Sequence, residues 1–205
     1  MACCHLPSIS AAQDSLVTSR NVSFGISLSN LSYFEGEIRA DETYAYKLMP
    51  KGMDYSISGN VKYNLKSCLD VIGGIEISTM QFDANLVCPS CDPTAFSLPT
   101  KEKKSYSLIA IPVSLRSTIH KGPSIIFLEG GVSLRTIGNL TRFNYLANQK
   151  KEFIVFPSIG LGFSGEIGNT HEVECLVKYQ KAIGSFGSDL QFNISYLSFS
   201  VGFYY

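Results

Sequence analysis

Large apolar side chains alternate with small or polar ones along much of this chain. Near its end Leu197, Phe199, Val201, Phe203 and Tyr205 are separated by Ser198, Ser200 and Gly202. A period of two describes a strand with one apolar face. The pattern runs to a final aromatic residue. Chain ends fray in soluble domains, whereas a closed barrel pairs its last strand with its first and so removes both edges. Seven earlier segments repeat the alternation. Their apolar positions are Val22, Phe24, Ile26 and Leu28; Tyr55 to Leu65 at every odd residue; Val71, Gly73, Ile75 and Ile77; Ile109, Ile111, Val113 and Leu115; Ile126, Leu128, Val132 and Leu134; Phe153, Val155, Ile159, Leu161 and Phe163; and Val173, Cys175, Val177 and Tyr179. No segment carries a convincing helical period.

The links between these segments alternate in length. Short ones fall near 66–69, 119–123 and 164–170, and long ones near 29–53, 83–105, 138–151 and 180–190. Tight turns at one end and long loops at the other are characteristic of outer-membrane barrels. Each segment offers about 9–11 residues, the span a tilted transmembrane strand needs. The pattern therefore predicts an all-β fold, an eight-stranded antiparallel up-and-down transmembrane β-barrel whose narrow lumen is filled by side chains. Pro112 and Pro157 lie inside strands, and a missing N–H there predicts local bulges.

Charge fixes the register of this reading. With the apolar face toward lipid, Lys62, Glu76, Arg116, Glu129, Arg135, Glu172, Glu174 and Lys178 all point inward, four of each sign. A slip of one residue would turn them into hydrocarbon, at roughly 2–4 kcal/mol for each Lys or Arg near the midplane. Inward, they are expected to form a paired charge network that plugs the lumen; a gated ion path is the sharper alternative. Tyr55 and Tyr179 are placed at the outer rim and Tyr63 and Tyr205 at the inner one, as a partial interfacial belt.

Composition agrees with this picture without deciding it. Charged residues make up 17% of the 205 positions, below the roughly 25% of ordinary soluble proteins. The formal net charge is zero, which gives no support to nucleic-acid binding. No apolar run approaches the roughly 18 residues of a membrane helix. A soluble all-β protein would share these values.

Residues 1–20 read as a leader and 21–205 as the barrel. Met1–Ala12 has neither a basic start nor a complete apolar stretch, so it is not a whole export signal. Ser10-Ala11-Ala12 does carry small residues of the kind cut by a signal peptidase. The expectation is a remnant of an export signal followed by a short periplasmic segment, with the mature chain starting near Gln13; a disordered leader is the alternative. Cys88-Pro-Ser-Cys91 is the one local cysteine pair among six cysteines. A small loop disulfide and two free thiols are both open, ahead of a metal site, because no second pair or His stands nearby. No cofactor is expected.

Three segments resemble a known family. Ile109-Ala-Ile-Pro-Val-Ser-Leu-Arg116 is similar to the L-x-I-P-L strand of the small outer-membrane β-barrel domains common in Bacteroidota, the porin-family or PorT-like domains. Phe127-Leu-Glu-Gly-Gly-Val-Ser-Leu134 resembles their glycine-bearing strand, and Val201-Gly-Phe-Tyr-Tyr205 their closing strand. The resemblance covers about residues 20–205. It implies an eight-stranded barrel in a Gram-negative outer membrane, embedded among lipid and lipopolysaccharide. It also implies that Phe203 and Tyr205 serve as an assembly signal for the barrel-assembly machinery. It transfers no catalytic residue.

Four functions compete. The first is a non-enzymatic structural, binding or accessory role carried by long external loops, within a larger envelope complex in one version. The first loop mixes Tyr33, Phe34, Tyr44 and Tyr46 with Glu35, Glu37, Arg39, Asp41 and Glu42, although strands extending past the membrane would read the same. Lys101-Glu-Lys-Lys104 could meet lipid phosphates or simply be a solvated run. The second is a lipid-modifying enzyme or protease, which needs an activated nucleophile or water at the outer rim. His5 lies in the leader, and His120 and His171 map to the short-turn side. The third is a narrow pore. The fourth is a soluble lipocalin-like carrier with its apolar face turned inward around a ligand.

Overall fold

The alternating segments pair into a single antiparallel sheet that closes on itself. The computed structural model describes residues 22–39, 45–66, 68–87, 102–121, 124–137, 153–168, 171–186 and 191–205. In chain order the strands are β1 (Val22–Tyr33), β2 (Gly36–Arg39), β3 (Ala45–Pro50), β4 (Asp54–Lys66), β5 (Leu69–Val87), β6 (Glu102–Lys121), β7 (Ile125–Ile137), β8 (Phe153–Ile167), β9 (His171–Lys181), β10 (Gly184–Phe186), β11 (Gln191–Asn193) and β12 (Ser195–Tyr204). Eight of them are staves, each paired with the next: β1, β4, β5, β6, β7, β8, β9 and β12. The ring closes where β12 meets β1, from Gly25↔Tyr204 to Tyr33↔Tyr196. Phe24 N–H donates to the Tyr205 carbonyl at 3.2 Å, and Tyr205 N–H returns a bond to Phe24 at 2.9 Å. The fold is an all-β, eight-stranded, antiparallel up-and-down barrel. Among the described residues no helix is long and apolar enough to cross a membrane.

The two ends of the barrel differ. At the turn end, the links between β4 and β5, β6 and β7, and β8 and β9 are two or three residues long, and the start of β1 and Tyr205 lie there too. At the loop end lie the longer connections and the four short strands. There β3 pairs with the far part of β5, from Ala45↔Val87 to Pro50↔Phe82, β2 pairs with β3, and β11 with β2. β10 pairs with β8. The long links expected at 29–53, 83–105 and 180–190 are therefore partly strand. β5 and β6 run 19 and 20 residues, longer than a membrane crossing requires. The alternation that marks the staves fades above the belt, where Asn30, Ser32, Thr79 and Gln81 take the outward positions, so those extensions do not announce themselves as strands.

The expected bulge is absent at Pro112 and present opposite Pro157. Pro112 faces Ser133 and Pro157 faces Val132 in unbroken register. Around Pro112 the β5–β6 ladder passes from Gly73↔Val113 to Glu76↔Ala110 without a shift. The missing N–H is absorbed as a gap in the ladder. On its other side Pro157 lies where the pairing shifts by one residue, from Ser158↔Gln180 with β9 to Val155↔Gly184 with β10, so that residues 181–183 stand opposite only 156 and 157. Further register shifts lie near the turn end, at Asn64/Lys66 and Thr118/His120.

Candidate functional site

The outer wall is apolar. Leu28 is 63% exposed, Ile111 55% and Phe199 51%, and Ile57, Ile75, Ile77, Ile109, Val113 and Leu115 are exposed as well. Lys62, Arg116, Glu129, Arg135 and Glu174 are all buried, on the inward side. The barrel is thus inverted relative to a soluble one. Its interior is the one place in the described residues where charges, hydroxyls and cavities converge.

Near the turn end the interior is an ion-pair network. Arg116, on β6, holds Glu129 of β7 at 2.9 Å and Glu174 of β9 at 2.5 Å. Lys178 reaches the other oxygen of Glu129 at 2.6 Å, and Ser114 Oγ donates to that same Glu129 Oε1 at 3.0 Å. Lys62 of β4 pairs with Glu172 of β9 across the lumen. Two rings floor the network: the Arg116 guanidinium lies 3.8 Å from the Phe127 centroid and Lys62 Nζ 4.6 Å from that of Tyr204. Cations over aromatic faces in a desolvated space gain about 2 kcal/mol or more each. Below this network, at the turn end, a vestibule of ≈ 540 Å³ is lined by Lys66, Asp70, Glu166, Asn64, Thr118 and other residues.

Above the network lies a layer of small polar side chains. Ser27 and Ser58 hydroxyls are 2.6 Å apart, and the Asn60 amide donates to both, at 3.0 and 3.1 Å. They surround a chamber of ≈ 50 Å³ that also touches Glu76, Lys178 and Gln180. Its polar walls suit a few waters, each needing about 10–15 Å³ on this measure.

The loop-end third is different again. Tyr33, Phe82, Tyr196 and Phe156 meet as an aromatic cluster, with ring centroids 5.5 Å apart for Tyr33–Phe82, 4.9 Å for Tyr33–Tyr196 and 5.9 Å for Phe156–Tyr196. The Arg135 guanidinium is threaded between Tyr196 and Phe156, at 4.8 and 5.1 Å from their centroids, and is neutralised by Glu76 at 2.9 Å. Leu31, Leu48, Ile154 and Ile194 are fully buried as well. The charge network expected to plug the lumen is therefore joined by a second, aromatic plug at the loop end. The missed signal was present in the sequence. Tyr33, Phe82, Phe156 and Tyr196 all stand on the parity that elsewhere carries the inward polar residues, near strand ends facing the loops.

Of the sequence candidates, all eight lumen charges take part in the ion pairs above. Phe203 and Tyr205 point outward, 52% and 59% exposed, on the closing strand. Cys88, Cys91, Tyr44, Asp41, Glu42, Lys101 and the leader 1–20 lie outside the described residues. At the loop end Phe34 is exposed beside Tyr179, centroids 6.5 Å apart, and Lys47 makes an exposed pair with Glu35 at 3.6 Å. His120 and His171 are exposed near the turn end. Among the described residues no group of three His, Cys, Asp or Glu is placed to hold a metal.

No family model matches the chain, and no curated protein sequence matches it. Solved structures do resemble it in shape. Neisserial surface protein A aligns over 87% of this chain and 95% of its own, at 11% identity and TM-score 0.46. The N-terminal β-barrel domain of Pseudomonas aeruginosa OprF aligns over 89% and 97%, at 12% identity and TM-score 0.42. The outer membrane protease OmpT from Escherichia coli aligns over 92% and 97%, at 9% identity and TM-score 0.46. At such values these likenesses assign neither a family nor an activity, and the barrel itself rests on the strand pairing.

Proposed function

We propose that this chain is an integral outer-membrane β-barrel protein of a Gram-negative envelope, with a non-enzymatic structural, binding or accessory role carried at its loop end. One observation carries the reading: a closed barrel whose outer wall is a continuous apolar belt, while its buried charges face one another inside. In water the belt would expose large apolar side chains on every stave, far beyond the few hundred Å² a soluble monomer tolerates. In a bilayer it satisfies both lipid and backbone, because a closed barrel has no unpaired edge. A soluble carrier needs the reverse orientation, with an apolar interior around its ligand. The resemblance of three strands to Bacteroidota outer-membrane domains supports the same compartment.

Two features support the non-enzymatic role. Outer-rim hydrolysis needs a base beside a nucleophile, and His120 and His171 sit at the opposite end. The loop end, in contrast, extends past the belt through β2, β3 and β11 and presents Phe34, Lys47 and Glu35. The test is membrane fractionation followed by affinity capture in mild detergent, with and without residues 34–53. The reading expects the protein only in the detergent-extracted outer-membrane fraction, with captured partners lost on deletion. Recovery in the aqueous fraction would overturn the compartment. An unchanged partner set would overturn the loop role.

A further inference from the structure

The interior holds two barriers in series, and they differ in kind. The ion-pair network between the vestibule and the chamber is polar apart from the Phe127 and Tyr204 rings on which Arg116 and Lys62 rest. Ser114, Lys178, Glu129 and Glu174 face the chamber, Lys62 and Glu172 face the vestibule, and Arg116 faces both. Water can hydrate such groups and pass between them as the pairs fluctuate. Among the described residues the loop-end layer offers no such route. Ile154 and Tyr196 are 0% exposed, Leu31 and Phe82 1%, and Phe156 3%, and the phenol oxygens of Tyr33 and Tyr196 are shut off from solvent. Arg135 there is closed over by two rings and tied to Glu76, and the Asp54 carboxylate, 1% exposed, is held by the Gln81 N–H at 3.1 Å and Thr79 Oγ1 at 3.2 Å. Apolar constrictions stop ions by dewetting, which needs no charge at all.

From this arrangement we infer that the permeability barrier is an aromatic stopper of Tyr33, Phe82, Phe156 and Tyr196 clamped on Arg135, and that the ionic network beneath it does not seal the barrel. The interior is then a blind, water-filled sac open only at the turn end. Small polar solutes enter it from that side as far as the serine chamber and go no further. The inference rests on the membrane reading above.

The test records ion conductance of the full-length chain in planar bilayers. Insertion is checked independently by the shift in electrophoretic mobility between unheated and boiled samples. Wild type is expected at baseline. Tyr33→Ala/Tyr196→Ala is expected to insert and show opening steps. Tyr33→Phe/Tyr196→Phe keeps the rings and is expected to stay closed, as is Glu129→Gln, which disrupts only the ionic layer. Should the double alanine variant lose its mobility shift, Phe82→Ala/Phe156→Ala opens the same layer from the other side. The inference falls if inserted alanine variants stay closed, if Glu129→Gln alone conducts, or if wild type conducts. A wild-type chain that never inserts would instead overturn the membrane reading.

Discussion

Arg116 holds two carboxylates at once, and this makes it the residue on which the inner network turns. Glu129 in turn is shared between Arg116 and Lys178. Removing one member of a buried pair leaves an uncompensated charge, at about 3–5 kcal/mol, while replacing the whole set by apolar residues can be neutral. Glu129→Gln is accordingly expected to lower stability by about 3–5 kcal/mol in urea unfolding from lipid vesicles. Joint replacement of Arg116, Glu129 and Glu174 by well-packed apolar residues is expected to recover most of that loss. Glycines supply the counterpart on the packing side. A Cβ on Gly162 would stand 2.4 Å from the Phe127 ring, the ring on which Arg116 rests, whereas a Cβ on Gly59 would meet nothing within 4 Å. Gly162→Ala should therefore cost about 1–3 kcal/mol through overpacking, with only partial recovery in Gly162→Ala/Phe127→Leu because the Cys175 carbonyl would still stand 2.7 Å from the new Cβ. Gly59→Ala should stay within about 0.5 kcal/mol.

At the scale of the strand, depth along the wall decides what a substitution does. Ile111 stands mid-stave on β6 and faces outward, while Ser107, four residues nearer the loops, also faces outward. Ile111→Lys is expected to destabilise by about 2–4 kcal/mol and Ser107→Lys by about 0–1 kcal/mol, both read by the same vesicle unfolding. Equal costs would argue against a membrane across this part of the wall. The staves themselves were legible from sequence because period two is strong wherever one face is apolar: Val22 to Leu28 and Leu197 to Tyr205 are clear cases. The short strands were not legible. β2, β3 and β11 extend past the apolar belt, so no such face is left to mark them, and of the two prolines only Pro157 stands at a bulge, because at Pro112 the ladder simply skips a rung. Inward charge was readable from parity. Which partner each charge takes was not, since Arg116 reaches Glu174 across 58 residues of chain.

For the whole molecule, the interior is divided by height. Charge lies toward the turns, hydroxyls in the middle and aromatic rings toward the loops, and this order could not be read from any single strand because each layer draws on several. A measurable consequence is one-sided hydration. Amide exchange on β12 is expected to be faster around Ser198 and Ser200, which border the chamber, than at Tyr196, which is 0% exposed. Uniform protection along β12 would count against the division. The seam between β1 and β12 carries a consequence in time. It joins Gly25 to Tyr204 and Tyr33 to Tyr196, the opposite extremes of the described chain. A ribosome emitting this polypeptide therefore makes seven staves of an unfinished vessel, each with a bare rim, before the eighth can shut it. Such non-local pairing is slow and prone to aggregation. The nascent chain needs a holder until release, and the finished barrel has no smaller closed ring to fall back on.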